Sequence, residues 1–239
     1  MLNLKNLKAK DKAVFFSSIF FITAELIFLI LIEIGMGSAT NAICFASVVT
    51  AFLFCLFVSR NELDSLFVAC ALFFTVCADF CLVIMNPQPR ILAMVFFNAV
   101  QLLYFARLIR IDKCQKTRTI HLLVRGIAIA LGILLATLVL KENTDFLSII
   151  SIIYFANLAV NILYSFLSGR ERLLFSFGLV FFALCDIFVG LSVLLADYLT
   201  VAEDSIIYKL THTEINLVWL FYVPSQTLIA LSSIKCKTK

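Results

Sequence analysis

The stretch LFVACALFFTVCADFCLVI (residues 66–84) is predominantly apolar and carries a single charged residue, Asp79. A helix needs ~20 apolar residues to cross the hydrocarbon core of a bilayer. The run is too long for a strand of a compact sheet, and in lipid a helix satisfies its own backbone hydrogen bonds. Reading it as a transmembrane helix sets the fold class. It also raises the question of why an aspartate sits inside. Farther along, ALCDIFVG (183–190) repeats the feature with Asp186.

The rest of the chain has the same character. Of 239 residues, 63% are hydrophobic and 14% charged, where a soluble domain has ~45–50% and ~25%. The mean hydropathy is +1.07. With 25 Phe against 7 Gly and 3 Pro, no disordered or low-complexity linker is expected. Eight runs are long enough to span: 13–34, 39–58, 64–85, 90–109, 119–140, 146–167, 173–196 and 214–234. Short loops with turn or charge signals separate them, such as GMGS, NPQPR, KENTD and SGRER. The sequence therefore predicts an all-α polytopic membrane protein: an eight-helix transmembrane bundle forming one integral membrane domain over 1–239.

Charge orients the bundle. With the N-terminus placed in the cytoplasm, fifteen Lys and Arg fall on the inner side, three on the outer side and one, Arg125, within a span. Such a bias across alternating loops is the positive-inside signal. It places both termini in the cytoplasm and supports an even number of spans. The net charge of +4 then anchors topology beside anionic lipid and calls for no nucleic-acid partner. The first run carries Glu25, is too long for a signal-peptide core and shows no clear cleavage site, so it reads as a span. Six cysteines lie in spans, and Cys114 and Cys236 lie on the inner side, which argues against a disulfide framework. Cys77 and Cys81, one turn apart, read as small buried residues. His121 lies at an inner helix start and His212 in the outer loop. Arg125 reads as snorkelling to the inner interface.

Dividing the chain near 111–117 gives two parallel sets of four spans. FTVCADFCLVI (74–84) then aligns with FFALCDIFVGL (181–191), a weak repeat. The aspartates lie ~22 Å and ~20 Å from the inner ends of spans 3 and 7 at 1.5 Å per residue, hence at one depth. Other polar residues collect nearby: Asn98, Gln101 and Tyr104 on span 4; Tyr154, Asn157 and Asn161 on span 6; Tyr222 and Gln226 on span 8. An isolated carboxylate in hydrocarbon must be paired, protonated or hydrated. Amides taken singly read as interhelical glue. Two ionisable groups at one depth read as a site. Glu33, near the outer boundary, reads as solvated.

These residues resemble the YhhN-like lysoplasmalogenase family. That family carries Gly-Asp on one helix and His-x-x-Tyr on the next; the matching positions are Ala78-Asp79 and Gln101-x-x-Tyr104. Its later Ser-Asp is similar to Cys185-Asp186. Its final Tyr, followed four residues on by Gln or His, is similar to Tyr222 and Gln226 in FYVPSQTLIALS. Here the family His is Gln101, the usual Lys-Pro near the second helix is absent from SATNAICF, and both residues preceding the aspartates differ.

The resemblance implies an eight-span fold and hydrolysis of the vinyl ether bond of lysoplasmalogens, giving a fatty aldehyde and a glycerophospho-base. It implies Asp79 and Asp186 as the acid–base pair, with a membrane lipid as substrate. Gln101, Tyr104, Tyr222 and Gln226, with Asn98 and Asn157, would bind or orient substrate and water. That chemistry requires no metal or other cofactor. The competing class is a non-enzymatic carrier or lipid-binding protein with a polar intramembrane cavity; a structural scaffold is a third. The segment 197–213, with Ile206, Ile207 and Leu210 among charges, reads as a connector or an interfacial lid.

Overall fold

A computed structural model describes residues 9–59, 63–110, 115–197, 205–211 and 213–234. Among them the chain is helical and contains no strand. Helix α1 spans Ala9–Ile34, α2 Thr40–Val58, α3 Leu63–Asp79, α4 Arg90–Ile109 and α5 Gln115–Leu140. Helix α6 spans Phe146–Leu167, α7 Leu173–Asp197, α8 Ile206–Thr211 and α9 Leu217–Leu231. A π-helical turn, Phe80–Ile84, carries α3 past its aspartate. Seven helices, α1 to α7, are long and apolar enough to cross a membrane. The eighth run corresponds to α9, whose 15 residues extend ~22 Å at helical rise. Residues 198–204 of the 197–213 segment, the 111–114 part of the dividing segment, His212, Cys114 and Cys236 lie outside the described residues.

Local sequence explains where the helices stop. Gly35 and Gly37 take φ of +76° and +59° between α1 and α2, and Gly169 takes +98° between α6 and α7. These are left-handed values that favour glycine. Asp145 caps α6, its Oδ1 accepting from the Ser148 amide at 2.7 Å. Asn216 caps α9 through the Trp219 amide. Glu33, expected to be simply solvated, accepts from the Asn216 amide at 3.0 Å. It thereby joins the end of α1 to the start of α9.

The helices form a ring α2–α3–α4–α6–α7–α9, closed by α9 against α2 and α3. Helix α1 packs on α2 and α9, and α5 packs on α6 outside the ring. The two outer helices expose apolar residues such as Phe20, Leu26 and Ile30 on α1 and Leu123, Leu134 and Val139 on α5. The packing of α7 on α9 is very close. A Cβ at Gly178 would stand 2.8 Å from Ile229 Cγ1 and 3.2 Å from the Ser225 carbonyl oxygen.

One ion cluster fixes the relative height of four segments. Arg107, at the end of α4 and 2% exposed, donates to Asp64 through Nε (3.2 Å) and Nη2 (2.8 Å). Arg172, just before α7, donates to Asp64 Oδ1 at 2.8 Å. Arg107 also donates to Ser232 Oγ and the Ser232 carbonyl, both at 2.9 Å. Its guanidinium lies over the Phe175 ring, 4.5 Å from the centroid. The start of α3, the ends of α4 and α9 and the entry to α7 therefore meet at one level.

Asp64 retains 40% side-chain exposure, which softens the ~3–5 kcal/mol penalty of breaking a fully buried pair. Arg107→Ala is expected to cost about 2–3 kcal/mol on that reasoning. Arg107→Lys, which keeps the charge without the fork, should fall between it and the wild type. Thermal unfolding of the detergent-solubilised variants checks the order.

Candidate active site

Asp79 stands at the junction between α3 and its π-helical turn. Such wide turns recur at functional sites. The turn is held by the Met85 amide donating to the Phe80 carbonyl at 3.0 Å and by Gln88 Nε2 donating to the Leu82 carbonyl at 2.6 Å. The Asp79 side chain is buried, and its Oδ2 accepts from the Tyr222 hydroxyl of α9 at 2.6 Å. Asp186, half-buried on α7, accepts from the Tyr154 hydroxyl of α6 at 2.5 Å. Each carboxyl is thus held by a phenol from a neighbouring helix.

The ion cluster gives both aspartates one datum. Asp79 follows Asp64 by fifteen residues and Asp186 follows Arg172 by fourteen, rises of ~22 Å and ~21 Å. The aspartates therefore occupy one layer. Phe182, one turn before Asp186 and fully buried, lies between the two phenols. Its ring centroid is 5.6 Å from that of Tyr222 and 6.4 Å from that of Tyr154.

The remaining candidates divide into three groups. Asn98 donates to the Met94 and Ile150 carbonyls at 2.9 and 3.2 Å, tying α4 to α6. Tyr104 and Gln226 are buried with polar atoms that find no partner: the phenol oxygen of one and both amide atoms of the other. The Ser225 hydroxyl beside Gln226 is also unpartnered. Buried polar groups of this kind ordinarily hold water or ligand.

Gln101 and Asn157 belong instead to a cluster built on Arg125. Asn161 Nδ2 donates to Gln101 Oε1 at 2.9 Å, and Arg125 Nη2 donates to Asn161 Oδ1 at 2.7 Å. Arg125 Nη1 donates to Asn157 Oδ1. The guanidinium lies 4.1 Å from the centroid of Phe105. The snorkelling expected of Arg125 is therefore corrected. The side chain is only 6% exposed, because α6 offers it two amide oxygens inside the bundle. His121, expected simply at a helix start, is fully buried and stacks on Tyr164 at 3.5 Å.

At the end of the bundle remote from the ion cluster, a cleft of about 350 Å³ opens between α7, α8 and α9. Phe188, Ser192, Glu214, Asn216 and Val218 help to line it. Phe188 stacks on Phe221 with centroids 5.7 Å apart. These two rings adjoin Asp186 and Tyr222 in sequence, so the cleft lies just beyond the aspartate layer.

Sequence reading placed Tyr154 among nearby polar residues without assigning it to Asp186. It missed the role of Arg125 altogether. The one signal for both was the spacing of Tyr154, Asn157 and Asn161 along one face of α6.

This architecture defines a polytopic membrane protein with an acidic pair inside its helical bundle. The chain belongs to the YhhN family, whose sequence model matches residues 42–233. No curated protein and no solved structure matches it.

Removing either phenol leaves a buried carboxyl oxygen without its donor. A double-mutant cycle of Tyr222→Phe with Asp79→Asn, and another of Tyr154→Phe with Asp186→Asn, should each give a coupling energy of about 1–3 kcal/mol. A coupling near zero in either cycle would show that the pair does not form.

Proposed function

We propose that the protein is an intramembrane lipid hydrolase that cleaves the vinyl ether bond of lysoplasmalogens. The observation that carries this reading is the layer of two carboxyl groups, each bonded to a phenol from another helix. Family membership is consistent with lysoplasmalogenase-type chemistry.

The reaction needs one proton donor and one anion. The acid delivers its proton to the enol carbon, and the ether oxygen shares the positive charge of the resulting oxocarbenium ion. The partner carboxylate stabilises that cation and takes a proton from water as the water oxygen attacks the carbon bearing the ether oxygen. The hemiacetal then collapses to aldehyde: the partner gives the proton it took to the departing glycerol oxygen, and the hemiacetal hydroxyl proton passes to the carboxylate of the spent acid. Water is consumed, and each carboxyl group returns to its starting state.

Two carboxyl groups in unequal surroundings can divide such roles. Asp79 is the more enclosed of the two and Asp186 the more exposed. The unpartnered groups of Tyr104, Ser225 and Gln226 suit the storage of water. Tyr222 and Gln226 are four residues apart on one helix face, linking that polar interior to Asp79.

Purified protein supplied with a lysoplasmenyl lipid should release a long-chain aldehyde. Asp79→Asn and Asp186→Asn should each lower kcat by at least a hundredfold, within the ordinary range of acid–base catalysis. Activity should fall on both sides of a pH optimum, because the step requires one protonated and one ionised group. Intact turnover in both Asn variants would exclude the mechanism.

The same reading puts both termini in the cytoplasm. The basic end of the bundle, with Arg107, Arg170 and Arg172, would then be the inner end. Fluorescent-protein fusions at either terminus should remain bright in the cytoplasm; a terminal tag accessible to an impermeant reagent on intact cells would reverse the orientation.

A further inference from the structure

The Arg125 cluster has no part in the proposed chemistry, yet its composition is unusual. Arg125 is a buried cation inside a transmembrane helix, and among the described residues no carboxylate reaches it. Its acceptors are the neutral amides of Asn157 and Asn161. Such a charge is retained in hydrocarbon only at a cost, and an anion is its natural complement.

The unpartnered atoms of the cluster share one polarity. Arg125 Nε and Gln101 Nε2 are buried donors without acceptors. His121 Nε2 lies 3.4 Å from Arg125 Nη2. A guanidinium can only donate, so His121 Nε2 is the acceptor and Nδ1 carries the hydrogen. Nδ1 is also buried without a partner. Three side chains of one network, the cation among them, therefore carry unused N–H groups. Water would satisfy such groups singly; an oxyanion satisfies the donors and balances the charge.

Position adds a second argument. Tyr154, which holds Asp186, and Asn157, which holds Arg125, are three residues apart on α6. Their side chains share a face on adjacent turns, ~5–6 Å apart at Cβ. The cation thus lies about one turn from the proposed reaction layer. Helix α5, which carries Arg125 and His121, docks on α6 at the periphery, where a lipid arriving sideways would meet it.

We propose that the Arg125 cluster is an oxyanion subsite for the phosphodiester of a single-chain phospholipid. The substrate's glycerol unit, a few bonds long, would connect this subsite to the vinyl ether at the aspartate layer. The assignment rests on the hydrolase reading for its choice of lipid, but its test requires no turnover.

The probes are a saturated 1-O-alkyl lysophosphocholine, which has no vinyl ether, the matching 1-O-alkylglycerol, which has no phosphate, and inorganic phosphate alone. Binding to the full chain in nanodiscs is measured by calorimetry. The phospholipid should bind at least tenfold more tightly than the alkylglycerol, and Arg125→Gln should abolish that preference. Arg125→Lys, which keeps a cation, should retain part of it and serves if the Gln variant does not fold. Equal binding of the two lipids to the wild type overturns the proposal, as does a preference that survives Arg125→Gln. Arg125-dependent binding of inorganic phosphate without a preference for the phospholipid also overturns it, because the ligand would then be a free anion. If phosphate selectivity holds while the vinyl ether lipid is never cleaved, the subsite stands and the hydrolase reading falls.

Discussion

Asp64 accepts from two arginines, and Arg107 carries that contact on to Ser232. Everything else in the bundle depends on the register this cluster fixes. Apolar helix faces slide past one another at little cost, since lipid is as apolar as another helix and hydrophobicity gives no preferred depth. A forked, charge-assisted contact has no equivalent one turn away. By joining the ends of α4 and α9 to the entries of α3 and α7, it converts residue count into depth. The two aspartates share a layer because nearly equal lengths of helix separate them from that anchor.

The same economy governs the interior. A polar group buried in lipid must find a protein partner or water. The bundle meets this demand pair by pair: Tyr222 with Asp79, Tyr154 with Asp186, Ser47 with Glu25 at 2.5 Å. Each pair joins different helices, so satisfying the polar groups also chooses the helix neighbours. Helix α9 shows how far this goes. It is the shortest of the eight apolar helices, yet it touches α1, α2, α3 and α7 and carries Tyr222 and Gln226 to the centre. Gly178 lets it lie close against α7.

How much of this could be read from the sequence follows from range. The spans were legible because each is a local excess of apolar residues: the 90–109 and 146–167 runs coincide with Arg90–Ile109 and Phe146–Leu167. The shared depth of the aspartates was legible because it needs only helical rise. Partner choice was not. Nothing local distinguishes Tyr154, which serves a carboxyl, from Asn157 three residues on, which serves a guanidinium. Gln101, which the resemblance set at a family His position, has a side-chain carbonyl oxygen that accepts from Asn161, a contact sixty residues away. Arg125 looked able to snorkel because its own helix borders lipid. Its burial is decided by amides that α6 supplies.

The division of those partners bears on the chemistry. A carboxyl bonded directly to a guanidinium is fixed as the anion and makes a poor proton donor. The bundle contains a buried cation about one helical turn from Tyr154, and so close to an acid pair, yet neither aspartate is bonded to it. Asn157 and Asn161 accept from the two terminal nitrogens of Arg125, while Tyr154 and Tyr222 each donate to one carboxyl oxygen. A phenol donates to a carboxylate without supplying a full positive charge, so it orients the group and leaves it free to exchange a proton. Neutral amides likewise hold the guanidinium without cancelling its charge. Asp186 and Arg125 are thus held from adjacent turns of one face of α6, each by uncharged partners.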